Sequence, residues 1–358
     1  MRVYDSDEPC DVAHRAILMM TNHASVPDAQ AILQHALAID PNNCDALAGM
    51  ALLAHSKLRD PDRAEQLLYR ALALDPSHAD SLCHLGGIYL DDSRKKYAEA
   101  EVLFQKTLAI DPHHVTSLAF YGLLLQEITK DYSGAERMML RAIRINPVHT
   151  DSLSHYGTFL GKVHQNYAAS NVIYDRVLSI DPLHVNTICN KGLVTQVTSR
   201  NPDEAEAFYM RALAADPAHS PTYGFLGLLL HSTKKNFTAA QEAYETSIRL
   251  LPSDATVLSN YGHLLFEHRN NHSGAESAYR DSLRADPLHP PALTNYGILL
   301  EDVHQDYRGA LRMYKRALEV EPTNPATRCQ YALLLTNFEH DFDQAESLLM
   351  AGIVEEKN

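Results

Sequence analysis

Pro287 to Glu321, PLHPPALTNYGILLEDVHQDYRGALRMYKRALEVE, holds the pattern from which the rest of the chain is built. Its apolar and small residues fall at Leu293, Tyr296, Gly297 and Leu300, then at Ala310, Met313, Tyr314, Ala317 and Leu318. Both sets have the i, i+3, i+4, i+7 spacing of one helix face, which predicts two amphipathic helices joined by a polar turn. Neither helix can bury its stripe alone, so the unit requires copies of itself to stack on.

The flanking sequence supplies those copies. Prolines recur at Pro41, Pro76, Pro112, Pro147, Pro182, Pro217, Pro252, Pro287 and Pro322, at seven intervals of 35 residues and one of 36. Proline bars the residue before it from the α region and lacks a donor, so each ends the second helix (B) of its unit. The extra residue of the long interval falls in LDDSRKKY, an inter-helix turn between Gly86 and Ala100, where an insertion disturbs no packed face.

Ten residues past each proline stand Ala51, Gly86, Gly122, Gly157, Gly192, Gly227, Gly262, Gly297 and Ala332, inside the first helix (A) of each unit. Glycine costs roughly 1 kcal/mol there relative to alanine, so a packing requirement must offset it seven times. Twelve residues before each proline the column reads Ala29, Ala64, Ala100, Ala135, Ser170, Ala205, Ala240, Ala275 and Ala310, and Ala345 keeps the phase. Small residues facing small residues predict a close crossing of the two backbones. Phe104, Tyr174, Tyr209, Tyr244, Tyr279 and Tyr314 would fill the space beside it.

These residues resemble the tetratricopeptide repeat. That family has a large residue, Leu-Gly and a large residue on helix A, then Ala, an aromatic, Ala and Pro on helix B. Leu293, Tyr296-Gly297, Leu300, Ala310, Tyr314, Ala317 and Pro322 match it position by position. Two departures stand out: the chain has no Trp, and its period is one residue longer than the usual 34. Neither touches the packing columns. The resemblance implies an all-α protein, an α-solenoid of helix-turn-helix repeats forming a right-handed superhelix whose A helices line a concave groove. Residues 1–358 read as a single array of about ten repeats starting near 6, 41, 76, 112, 147, 182, 217, 252, 287 and 322, the first and last degenerate.

Composition narrows the partners. The formal net charge is -14, from 31 basic and 45 acidic residues. That balance disfavours nucleic acid or an anionic membrane surface and favours basic or neutral partners. The five cysteines (Cys10, Cys44, Cys83, Cys189 and Cys329) show no C-x-x-C spacing, which fits reduced thiols in a cytoplasmic protein. Cys83, Cys189 and Cys329 share a helix A slot with Ala119, Ser154, Ser259 and Thr294 and read as packing residues. Ala16 to Met20 (AILMM), the longest early apolar run, is too short for a signal-peptide core or a membrane span. Residues 1 to 8 read as a polar lead-in and Asp11 to Thr21 as a first helix. At the other end, FDQAESLLMAGIVEEKN supplies a helix B whose Leu348, Leu349 and Ile353 no later helix covers. An uncapped end leaves open a partner there, a second copy, or a chain that continues.

Twenty histidines are the loudest anomaly. His78, His114, His149, His184, His219 and His289 stand two residues after a repeat proline, where Asn43, Asp254 and Asn324 occupy the other repeats. The company they keep predicts a turn or helix cap rather than a metal ladder. In HLLFEH, His263 and Glu267 share a helix face but His268 is rotated away, so no metal is expected. No G-x-S-x-G, P-loop or G-x-G-x-x-G following a strand is present, and no catalytic residue or cofactor is expected.

Candidate binding residues lie on helix A. Two positions before the glycine column stand Gly49, His84, Phe120, His155, Asn190, Phe225, Asn260, Asn295 and Gln330. This partial ladder resembles the asparagine ladder in the repeat arm of O-linked N-acetylglucosamine transferase, where amides hold an extended peptide by its backbone. An amide both donates and accepts, as a peptide bond does. Five residues after the glycine column, Asp91, Glu127, Glu267 and Asp302, with Glu301 beside the last, face one lysine, Lys162. They would make the groove acidic near both ends, although a solvated helix face carries such charge without a ligand. The small slot beside them lacks the basic residues a carboxylate clamp for chaperone tails requires. On helix B, Arg70, Lys106, Arg141, Arg176, Arg211 and Arg316 lie near the C-terminus and Glu65, Glu101, Glu136, Glu206 and Glu276 near the start, a polarity that suits the helix macrodipole.

The expected function is a non-catalytic scaffold binding an extended, basic or polar peptide or partner protein, with self-association through the last repeat left open. The alternatives are a substrate-recruiting arm of a larger enzyme such as a glycosyltransferase, and an RNA-binding repeat protein of the pentatricopeptide kind. The packing columns and the acidic charge count against the latter.

Overall fold

The computed structural model describes residues 26–56, 58–91, 94–199 and 201–355, with side chains through residue 350. The lead-in, the proposed first helix at Asp11 to Thr21, Cys10 and the side chain of Ile353 lie outside the described residues. Nineteen α-helices and no strand are found among those described. The chain forms two compact units, Met1–Thr198 and Ser199–Asn358. In the first, α1 (Val26–Ile39) is followed by α2 (Cys44–Ser56), α3 (Pro61–Leu74), α4 (Ala79–Leu90), α5 (Tyr97–Ile110), α6 (Val115–Leu124), α7 (Tyr132–Ile145), α8 (Thr150–Lys162), α9 (Tyr167–Ile180) and α10 (Val185–Thr198). The second holds α11 (Pro202–Ala215), α12 (Ser220–Ser232), α13 (Phe237–Leu250), α14 (Ala255–Arg269), α15 (His272–Ala285), α16 (Pro290–Asp302), α17 (Tyr307–Val320), α18 (Pro325–Leu334) and α19 (Phe342–Glu355). Even-numbered helices are A and odd-numbered ones are B, so the fold within each unit is an α-solenoid.

Local chemistry sets the helix ends. The residue before each repeat proline is extended, as at Asp75 (φ -133°, ψ 99°) and Asp181 (φ -128°, ψ 94°), because proline forbids it the α region. The acid there also accepts a hydrogen bond from the backbone two residues on, as Ser77 N–H donates to Asp75 (2.8 Å) and Leu183 N–H to Asp181 (2.9 Å). Between A and B the chain reverses through one left-handed residue followed by a cap: Gln165 then Asn166, Gln305 then Asp306. Asp306 accepts from Gly309 N–H at 2.8 Å and Asn166 from Ala169 N–H at 3.0 Å. Helix A of two repeats loosens before this turn into a single π-helical segment, Leu125–Thr129 and Leu335–Glu339.

The glycine column makes room for a ring, which differs from the expected crossing of bare backbones. A Cβ on Gly86 would stand 2.7 Å from Phe104 Cε1, and one on Gly157 2.6 Å from Tyr174 Cε1. The aromatic side chains therefore lie on the glycines rather than beside the crossing. Gly122 departs from this, because helix B offers Met139 there and the Ala135 carbonyl also comes to 3.2 Å. Phe104, Tyr209, Tyr244, Tyr279 and Tyr314 are fully buried. Burying such a ring contributes about 1.5–3 kcal/mol, which exceeds the roughly 1 kcal/mol that helical glycine costs.

Consecutive A helices of the first unit, α2 through α10, pack on one another, and each B helix also packs on the next A helix. The A side is thereby the crowded, inner side of the unit. Cys83 and Cys189 are buried in the small slot, as expected, but Cys329 is exposed. Around Cys83 the next A helix, α6, packs on α4, whereas no described A helix follows α18 to cover Cys329. Leu348 packs against the cluster around Tyr314 and Tyr331, while Leu349 and Met350 are exposed.

Candidate functional site

The inner face is built on a run of helix caps. Six histidines occupy the N-cap column. At His78, His114, His149, His184 and His289, ring Nδ1 accepts a backbone N–H three residues on, at 3.2–3.3 Å. Asn43, Asp254 and Asn324 do the same with a side-chain oxygen, at 2.7, 3.0 and 3.1 Å. His219 instead holds the Thr222 hydroxyl at 2.7 Å. An accepting Nδ1 places the ring proton on Nε2, which meets an acid of the preceding repeat: Asp45 from His78 (3.0 Å), Asp80 from His114 (2.9 Å) and Asp151 from His184 (3.1 Å). The hydrogen bond from His114 lowers the Asp80 pKa to about 2. Burial opposes the same effect at Asp151, but the bond from His184 still holds it well below the usual carboxylate range. The histidine column thus serves as caps, and at His78, His114 and His184 it also ties an A helix to the one before.

Helix B is wired both within its repeat and to the next, beyond the macrodipole polarity expected of it. Arg176 Nη2 donates to the Pro147 carbonyl and Arg316 Nη2 to that of Pro287, each at 2.7 Å, so these arginines clasp the proline that opened their own repeat. The glutamates near the start of helix B accept from a tyrosine hydroxyl on the next A helix: Tyr121 to Glu101 (3.2 Å), Tyr156 to Glu136 (3.4 Å) and Tyr296 to Glu276 (3.4 Å).

The ladder residues divide by what they already bond. Asn190 donates its amide to the Thr158 hydroxyl at 3.1 Å. Asn260 and Asn295, in the second unit, are half-buried and form no side-chain hydrogen bond with any described residue. Gln330, also half-buried, likewise forms none. His84 lines a cavity of about 130 Å³ in the first unit with Ala51, Leu52, His55, Gly87, Ile88 and Phe120. Burial pushes the His84 imidazole down to about 4, so it is neutral there. Burial also lowers the pKa of His155, whose Nδ1 is buried with no hydrogen-bond partner among the described residues.

Most of the acidic column is already engaged. Asp91 accepts from His55 Nε2 (3.1 Å), Glu127 pairs with Lys162 (2.9 Å), and Glu267 lies between His263 (3.1 Å) and His268 (3.5 Å). Glu301 accepts from the Tyr314 hydroxyl at 3.0 Å, and burial raises its pKa. Asp302 is exposed. Two contributors escaped the sequence reading, His55 and His231, both four positions past the glycine column. Reading that column beside the other two would have exposed them.

A tetratricopeptide-repeat family model matches residues 50–115 and 229–290, and a second model of the same repeat matches 186–219. The chain is a tetratricopeptide-repeat protein. Solved structures with a similar fold include the APC/C hetero-tetramer Cut9–Hcn1, with a TM-score of 0.68 at 15% identity over 95% of this chain and 75% of that one. The human IFIT1 dimer with m7Gppp-AAAA has a TM-score of 0.61 at 14% identity, over 99% and 96% of the two chains. At these identities the likeness is one of fold. No curated protein matches the sequence. Repeats of this family mediate protein–protein interaction, which makes an interaction scaffold the general reading of this chain. No helix among the described residues is long and apolar enough to cross a membrane.

Proposed function

We propose that this chain is a cytoplasmic, non-catalytic scaffold whose A helices hold an extended, basic or polar segment of a partner protein. The observation that carries the reading is the pair of unbonded, half-buried amides at Asn260 and Asn295, one repeat apart on the consecutive A helices α14 and α16. Packing does not consume them, and a half-buried amide without a partner forgoes about 1 kcal/mol that a peptide backbone would return. In the first unit the cavity beside His84 and Phe120 is of a size to take one side chain of such a segment. The net charge of -14 favours a basic segment over a phosphate backbone.

An array of extended peptides, basic, acidic and neutral, probed with the full chain tests this. Asn260→Ala with Asn295→Ala should weaken the peptides selected by the wild type while leaving the melting temperature unchanged. Equal affinity in the double variant would remove the amides from the reading, and tight single-stranded RNA binding lost on adding salt would replace the peptide with a nucleic acid.

A further inference from the structure

The second unit gathers three imidazoles around one carboxylate. His231 closes α12, and His263, Glu267 and His268 lie on α14, the A helix of the next repeat. The Glu267 carboxylate has one oxygen 3.1 Å from His263 Nε2 and the other 3.5 Å from His268 Nε2. The His231 ring lies 5.5 Å from that of His263 and 5.4 Å from that of His268, centroid to centroid. One donor atom each from His231, His263 and Glu267 can be chosen so that all lie within 4.8 Å of one another. We propose that His231, His263 and Glu267 bind a zinc ion that bridges two consecutive repeats, with His268 at the rim as a fourth donor.

The donor set is the first reason. Two imidazoles and a carboxylate suit zinc, at metal–ligand distances of about 2.0–2.2 Å. Tetrahedral donors around such an ion stand roughly 3.3 Å apart, so the present spacing must contract by about 1.5 Å at its widest. The two exposed side chains have room for this: His263 and Glu267 are 38% and 46% exposed. His231, by contrast, is buried and set among the rings of Phe237 and Tyr244. One ligand is thus fixed in place and two can close on it.

Packing beneath the nest is the second reason. The hydroxyls of Tyr244 and Tyr279 belong to fully buried rings and have no hydrogen-bond partner among the described residues. Tyr244 lies 6.3 Å from His231, ring to ring, and Tyr279 lies against Gly262, next in sequence to His263. At the corresponding place in other repeats Tyr174 bonds Thr158 and Tyr314 bonds Glu301. A water held by a bound metal would accept from these hydroxyls as side chains do in the other repeats. The other three-residue cluster of this kind among the described residues, Asp45, His78 and Asp80, is already committed to the cap ladder.

The site shares α14 with Asn260 but does not rest on the peptide reading, and its test needs no peptide. Zinc titration by calorimetry, and cobalt substitution followed by visible absorption, are applied to the full chain and to Glu267→Gln and His263→Asn, whose side chains are exposed enough to leave folding intact. The expected result is one tight zinc per chain, at least about tenfold weaker in both variants, with a zinc-dependent rise in melting temperature that the variants lack. Asp45→Asn, in the first unit, should leave zinc affinity unchanged. His231→Gln should abolish the tetrahedral cobalt spectrum, and if it fails to fold the two exposed variants decide. No zinc binding, or equal binding by wild type and Glu267→Gln, would overturn the proposal; the second outcome would mean adventitious uptake by surface histidines only.

Discussion

Tyr314 lies across Gly297 so closely that a Cβ on the glycine would stand 2.5 Å from Cε1 of the ring. The same pairing joins Gly262 to Tyr279 at 2.7 Å and Gly227 to Tyr244 at 2.7 Å. These repeats are each held shut by a ring that only glycine admits.

Gly262→Leu should therefore lower the stability of the second unit by about 3 kcal/mol or more, since several carbons must enter a filled space. Adding Tyr279→Ala should recover part of the loss by vacating that space. Thermal and urea denaturation of both variants check this, and a melting curve unchanged by Gly262→Leu would refute the ring-on-glycine account.

His114 accepts Ser117 N–H at 3.2 Å and meets Asp80 at 2.9 Å. Replacing it by alanine removes both contacts and should cost about 1–2 kcal/mol. His114→Asn should cost less, because Asn43 and Asn324 cap their own helices in the same column. Equal losses for the two variants in urea titration would show that the cap contributes little beside the inter-repeat bond.

Burial lowers the His84 pKa to about 4 from an ordinary 6.5. Between these values the unfolded chain binds a proton that the folded chain does not, so stability falls as pH drops from about 6.5 toward 4. Melting temperatures followed across that window in the presence of a chelator should decline less steeply in His84→Leu than in wild type. Parallel profiles would place the pH dependence elsewhere.

Arg316 donates to the Pro287 carbonyl at 2.7 Å. A bond of this kind contributes about 0.5–1.5 kcal/mol, and because it is directional it should survive salt that screens an interaction with the helix dipole. The stability lost in Arg316→Ala should thus persist at 1 M salt. A loss that vanishes there would return this column to simple dipole electrostatics.

Much of this molecule is legible in one dimension because a repeat states each packing demand many times. The proline, glycine and alanine columns locate every described helix pair, and the histidine column announces its caps through the Asn and Asp that replace it. What a column cannot show is which neighbour a polar side chain reaches. Asn190 and Asn260 are identical in register, yet one bonds Thr158 and the other bonds no described residue, because the repeat below Asn190 presents a hydroxyl.

The sequence alone determined the helical hairpins, their period and the residues that stack them, since those follow from spacing and from what proline and glycine do to a backbone. Only the tertiary structure decided that the rings rest on the glycines and that arginines near the ends of the B helices reach back 29 residues to a proline carbonyl. It also brought His231 to His263 and Glu267 from a neighbouring repeat. The physical reason is that backbone preferences are local, whereas hydrogen-bond and ligand geometry depends on side chains that the stacking of helices places together.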